Sequence, residues 1–304
     1  MRLPDGVRGM SQRGPDWAGW VDRLPRLVND LMAEWGLCRD GWPMHGYCSL
    51  VVPALSSENG RVVLKLTFDG DEESEHEHLA LRLWDGQGAV RMLRADPARR
   101  ALLLERLHAT DLRDMWDIEA CQVVAGLYPR LHLPAQPQLH TLTSYVARWL
   151  DQLEALGSSL PVPRRMVEQA LHLGRALVTD AASTAVVIHG DLHYANVLAG
   201  DRQPWLAIDP KPMNGDPHYE IPPLLWNRWE EMAGDLRGGI RRRFHATVDA
   251  AGLDEARARD WAIVRMIVDA SWTVSDARRE DRDLTPLKHD RITRCVAIVK
   301  AVQD

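Results

Sequence analysis

The stretch Val62-Val63-Leu64-Lys65-Leu66 places one lysine in the middle of an apolar run. An ammonium among aliphatic side chains is costly unless it is paired or turned outward. The flanking residues define the element that carries it. Tyr47 to Leu55 is rich in valine and leucine, Asn59-Gly60 has hairpin-turn composition, and Arg61 to Phe68 supplies the second strand. The lysine is also rare. Of 37 basic residues only Lys65, Lys211, Lys288 and Lys300 are lysine. Codon usage in a GC-rich genome accounts for the bias. Arginine does not replace lysine where a compact ammonium is needed, so each remaining lysine is a candidate for chemistry.

The chain has 304 residues, more than one ordinary core serves, and two lobes are expected. Apolar spacing from Trp17 to Trp35 predicts an N-terminal helical extension over about 16–36, broken or restarted at Pro25 and capped at Gly36. The hairpin follows, then the acidic segment Asp69 to Glu77, a helix through Trp84, and two more strands, Ala89 to Arg94 and Ala101 to Leu107. After Leu107 the pattern turns helical: Asp111 to Tyr128, Ser144 to Leu156, and Pro161 through Val178. A buried strand from Ala185 to Ile188 and a hairpin turning at Gly200-Asp201 interrupt it. Three helices are expected at about 224–250, 254–276 and 286–302. The organisation is a strand-rich part, 1–107, followed by a larger, mainly helical part, 108–304: an α+β fold.

The densest motif is His189-Gly190-Asp191-Leu192-His193-Tyr194-Ala195-Asn196, followed by a hairpin and Leu206-Ala207-Ile208-Asp209-Pro210-Lys211. Phosphoryl transfer explains why these types belong together. Its barrier is mostly one of charge placement, met by oxygen ligands for magnesium and a carboxylate facing the acceptor hydroxyl. Magnesium prefers carboxylate, amide and water oxygens, of which Asn196 and Asp209 can supply the first two. Asp191 can orient the hydroxyl and accept its proton.

HGDLHxxNVL followed by IDPKP resembles the aminoglycoside phosphotransferases. The narrower likeness is to their streptomycin 6-kinase and hydroxyurea phosphotransferase branch. VVLKL at 62–66, HLALRLWDGQGAVRML at 78–93, ALLLERL at 101–107 and GDPHYE at 215–220 support it, and it runs from about residue 40 to the C-terminus. The resemblance implies a protein-kinase-like bilobal fold using ATP and Mg2+, with a nucleotide-binding first lobe and a catalytic, acceptor-binding second lobe. It makes Asp191 the catalytic base and Asn196 and Asp209 the magnesium ligands. Lys65 would hold the nucleotide phosphates and pair with a helix glutamate, Glu77, with Glu73 and Glu75 as rivals. Glu105 and Leu107 fall in the hinge, whose backbone would pair with adenine. No GxGxxG loop is present; Gly46 and Ser49 occupy its place, where backbone amides can still cradle phosphate. His193 is either a phosphate contact or a structural hydrogen bond. Lys211 either balances phosphate charge or pairs with a carboxylate. His189 is expected to pack beneath the loop, and Asp216 to cap or brace it.

A guanidinium-bearing acceptor would want carboxylates and aromatic faces, and Glu220, Trp226, Glu230, Glu231 and Asp235 are candidates for contacting it. Streptomycin-type aminoglycosides lead among acceptors, then hydroxyurea, an amino sugar or another metabolite. Acidic residues (43) outnumber basic ones, for a net charge of -6, which argues against a nucleic-acid partner and is compatible with a cationic one. No apolar run reaches the roughly 18 residues that span a bilayer. Four scattered cysteines without a CxxC pair fit a reducing cytoplasm. Two other classes are weighed. A metal-dependent hydrolase could use His189-x-Asp191-x-His193, but no Gly-Asn step occurs and Lys65 would be idle. A non-catalytic nucleotide-binding pseudokinase would lack one of Lys65, Asp191, Asn196 or Asp209, and all four are present.

Overall fold

Gly14 and Pro15 open a helix that the following apolar stripe keeps intact for twenty residues, and a sheet forms beneath it. This computed structural model describes residues 2–279 and 283–303. Helices α1 (Asp5–Met10) and α2 (Pro15–Glu34) come first. Strands β1 (Leu37–Arg39), β2 (Met44–His45), β3 (Ser49–Ser56) and β4 (Gly60–Thr67) follow, then α3 (Glu77–Trp84), β5 (Met92–Asp96) and β6 (Ala101–Glu105). The sheet order is β1-β3-β4-β6-β5 with β2 on β3, all neighbours antiparallel.

Strand periodicity sorts the β4 side chains. Val62, Leu64 and Leu66 are wholly buried in one cluster with Trp20, Leu24, Val28 and Leu31 of α2. Lys65, one residue out of phase, emerges on the other face. The expected break at Pro25 does not occur: α2 runs through it. An interior proline costs about 3 kcal/mol, and the stripe packed on the sheet outweighs that. Gly36, at φ +62, takes the left-handed backbone that ends the helix. Helix α1 had no counterpart in the sequence reading, and β5 begins at Met92 rather than Ala89.

The chain continues through α4 (Asp117–Ala125), α5 (Tyr128–Leu131), α6 (Leu142–Leu156), α7 (Arg164–Thr179) and β7 (Val186–Ile188). A hairpin of β8 (Val197–Ala199) and β9 (Trp205–Ala207) follows, then β10 (Met213–Gly215), antiparallel to β7. The last elements are α8 (Pro222–Trp226), α9 (Leu236–Ala251), α10 (Glu255–Arg279) and α11 (Pro286–Gln303). Helix α10 is apolar almost all round from Trp261 to Ala270 and forms the middle of the helical core, the position such a helix must take. The single helix expected over 224–250 is instead α8, a short turn and α9. Arg228 and Gly234 have left-handed backbone, and Asp235 caps α9 by accepting from the Gly238 N–H.

Two compact units result. The first runs through Ala109 and takes in Ala199–Lys211; the second consists of Thr110–Leu198 and the chain from Pro212 onward. A single cut at 107 had left 199–211 with the helical part. No helix among the described residues is long and apolar enough to cross a membrane.

The packing of β4 on α2 leads to a test. Leu64→Ala empties a fully buried site and should lower unfolding free energy by about 2–5 kcal/mol, read from the denaturant midpoint.

Candidate active site

In the first unit the strand lysine has its carboxylates. Lys65 Nζ lies 2.6 and 2.7 Å from the two Glu77 oxygens and 2.5 Å from Asp209 Oδ1. Glu77 is the first residue of α3, so the start of that helix places it under β4. Asp209 follows β9 with φ +57, a backbone rare outside glycine. The Lys65 side chain is 6% exposed. Burial works against its ammonium, but Asp209 and Glu77 outweigh it and raise the Lys65 pKa. Burial pushes the Glu77 carboxyl up against the pull of Lys65, and the nearby Asp209 charge adds to the rise.

Lys211 is spoken for. Its Nζ lies 2.7 Å from Asp71, which also accepts the Ser74 hydroxyl. Burial opposes the Lys211 charge, yet Asp71 and Asp209 raise its pKa. The pairing therefore fixes the loop before α3, and the carboxylate alternative is the one the geometry realises. Gly46 N–H donates to Ser49 O at 3.0 Å, closing a tight turn. Ser49 is 4% exposed, so its side chain is buried and any phosphate contact there would fall to the backbone amides, as expected of this segment. The Glu105 carboxylate accepts from Arg91 N–H and from the Arg202 guanidinium, which makes that side chain structural.

In the second unit β7 delivers the chain into the His189-Gly190-Asp191 loop. Gly190, at φ +83, makes the sharp turn that a side chain would strain. His189 is fully buried, as expected. Glu220 accepts the N–H of His189 at 2.5 Å and that of Gly190 at 3.4 Å, while Arg265 donates to Gly190 O at 2.8 Å and to Tyr219 O at 2.7 Å. Asn196 Nδ2 donates to Asp191 O at 2.9 Å, tying the far end of the loop to its centre. His193 accepts from Ala195 N–H and its Nε2 is 3.9 Å from Asp191 Oδ2, so the structural-bond alternative is present. The Asp191 side chain remains 35% exposed on this anchored loop. Asp216 takes the capping alternative, accepting from His218 N–H, and it also accepts from Trp261 Nε1 and Arg257 Nε.

The acidic acceptor candidates are engaged by other groups of the protein. Glu220 is wholly buried and used by the loop amides, so it is a brace and not a substrate contact. Glu230 pairs with Arg294, Glu231 with Arg228, and Asp235 caps α9 while meeting Arg242. Trp226 lies 5.0 Å from the Arg265 guanidinium, which Tyr219 covers on another side at 4.1 Å. Arg265 went unread in the sequence. Its signal was the one that exposed Lys65: a cation inside an apolar run, Ile263 to Val268.

Burial would raise the Glu220 carboxyl, but His132, His189 and the loop amide hold it below the ordinary range. A depressed carboxyl contributes stability that is complete above its unfolded pKa and is lost as pH falls through the folded value. Glu220→Ala should cost about 1–3 kcal/mol for each amide left unsatisfied. It should also lower kcat and flatten the acid limb of the stability profile, read by thermal melts over about pH 3 to 7.

A strand lysine held by a helix glutamate, together with an HxDxxxxN loop, defines a protein-kinase-like small-molecule phosphotransferase. Solved structures agree on the fold. A choline kinase from Streptococcus pneumoniae superposes with a TM-score of 0.61 at 12% identity, covering 92% of this chain and 99% of its own. A thermostable aminoglycoside phosphotransferase mutant in ternary complex with ADP and hygromycin B gives 0.57 at 16%, covering 90% and 97%. The chain belongs to the aminoglycoside/hydroxyurea antibiotic resistance kinase family, whose profile matches residues 34–277. It is 37% identical to a streptomycin 6-kinase of Streptomyces glaucescens (86% of this chain, 87% of the relative). It is 36% identical to that of Streptomyces griseus (99% and 98%) and 38% identical to a hydroxyurea phosphotransferase of Kitasatospora aureofaciens (84% and 75%).

Proposed function

We propose that this kinase transfers the γ-phosphate of ATP to a hydroxyl of a streptomycin-type aminoglycoside. The observation that carries the reading is the 36–37% identity to two streptomycin 6-kinases over nearly the whole chain. The catalytic set Lys65, Asp191, Asn196 and Asp209 is intact beside it. The first unit binds the nucleotide. Lys65 offers its ammonium to the phosphates, positioned by Glu77, and the hinge offers backbone at Leu107. The second unit supplies the base and the acceptor contacts.

In this reading Asp191 accepts a hydrogen bond from the acceptor hydroxyl and directs its oxygen at the γ-phosphorus. As the new O–P bond forms, the bond to the β-phosphate oxygen breaks and ADP leaves. The hydroxyl proton passes to Asp191 and then to water, with no phospho-enzyme. Asn196 and Asp209 suit magnesium. Asn196 uses its Nδ2 within the loop, which leaves the amide oxygen as the ligand end, and Asp209 brings a carboxylate. When bound, magnesium would neutralise phosphate charge. The net charge of -6 supports a cationic acceptor. The demand for ATP and four unpaired cysteines supports a cytoplasmic location.

ADP release is the test, across streptomycin, dihydrostreptomycin, hydroxyurea, glucosamine and kanamycin. Turnover with streptomycin is expected, and its absence contradicts the substrate assignment. Turnover with hydroxyurea alone would instead favour the second reading, which the 38% identical hydroxyurea phosphotransferase supports. Asp191→Ala should lose about 10²–10⁴ in kcat while ATP binding is retained.

A further inference from the structure

The N-terminal segment lies outside the family profile, which begins at residue 34. The Streptomyces griseus relative nevertheless aligns over 99% of the chain. Within the first unit this segment meets the Met44–Ser49 loop at two points. At Gly6 the His45 ring packs so closely that a Cβ would stand 2.1 Å from Nε2, so a larger residue there would displace the ring. At Arg13 the guanidinium Nη1 donates to Tyr47 O at 2.7 Å and lies over two rings, 4.3 Å from the Tyr47 centroid and 4.8 Å from that of Trp17. Trp17 in turn stacks on Phe68 at 3.8 Å, and the Phe68 N–H donates to Cys48 O at 2.8 Å. The loop is therefore gripped on both sides of Tyr47. One grip comes from the helical extension and the other from the end of the strand that bears Lys65.

This arrangement answers a question the sequence raises. A loop that cradles phosphate by its backbone has to be ordered before or during binding, and ordering it on binding costs affinity. The segment before β3 lacks the three-glycine pattern. It holds only Gly41 and Gly46, and Tyr47 is 78% exposed. Support from outside the loop takes the place of internal design. We infer that Arg13 is a positioning residue for the nucleotide. The extension acts as a strap whose guanidinium fixes the Tyr47 peptide, and with it the backbone amides of 46–49. The inference rests on reading the first unit as the nucleotide site.

The test measures ATP affinity by calorimetry and the KM for ATP in the full chain, for Arg13→Ala, Tyr47→Ala, Tyr47→Phe and Lys65→Ala. Losing the cation in Arg13→Ala, or the ring it stacks on in Tyr47→Ala, should weaken ATP binding and raise its KM about three- to tenfold. The kcat and the KM for the acceptor should stay within about twofold. Tyr47→Phe keeps ring and carbonyl and should match the unmodified protein. Tyr47 is exposed, so Tyr47→Ala remains informative if Arg13→Ala folds poorly. Unchanged ATP affinity in folded Arg13→Ala and Tyr47→Ala, with affinity lost in Lys65→Ala, overturns the strap and leaves the nucleotide site standing. Normal ATP binding by Lys65→Ala removes the nucleotide reading itself, and the strap with it.

Discussion

The buried ammonium of Lys65 is the constraint on which the first unit depends. A strand that hides a charge needs a countercharge, and two are supplied from different stretches of chain, Glu77 and Asp209. The demand sets where α3 begins, because Glu77 has to stand at its first turn. It also draws the segment after β9 into the first unit, with Asp209 in left-handed backbone. Removing Lys65 from this set would leave the buried Glu77 carboxylate without its cation, an effect of about 3–5 kcal/mol. In the function proposed above the same three side chains serve the nucleotide phosphates, so one electrostatic requirement would serve folding and function together.

The second unit solves a related problem with an arginine. Arg265 sits in the core helix, covered by Tyr219 and Trp226, and spends its donors on the carbonyls of Gly190 and Tyr219. Glu220 takes the opposing N–H groups of His189 and Gly190. A short loop bound through both its donors and its acceptors leaves the Asp191 carboxylate as the group with freedom to meet solvent. In the proposed transfer, rigidity of this kind would aim Asp191 before substrate arrives.

Some of this was legible in the sequence. Lys65 stood out because a cation in an apolar strand has few explanations, and Glu77 followed from its place one turn before Leu81. The Asn59-Gly60 hairpin and the Gly36 terminus were readable because their turn chemistry is local. What went unread depended on distant packing. Pro25 stays helical because the sheet beneath holds Trp20, Leu24 and Val28 in place. The expected helix over 224–250 divides at Arg228 and Gly234, where arginine tells nothing of a left-handed backbone. Glu220, Glu230, Glu231 and Asp235 looked available as carboxylates for a cationic acceptor. Each is occupied by an arginine, a helix end or loop amides, and sequence does not show which acids are already partnered. Arg265 was open to the logic that found Lys65 and was passed over in an arginine-rich chain.

The central claim is that this chain phosphorylates an aminoglycoside directly from ATP. Mass measurement of streptomycin after incubation with the protein and ATP tests it most directly. The account predicts a product heavier by one phosphoryl group, about 80 mass units, formed mole for mole with ADP and absent with Asp191→Ala. Unmodified streptomycin despite ADP formation, or equal product from Asp191→Ala, would contradict it.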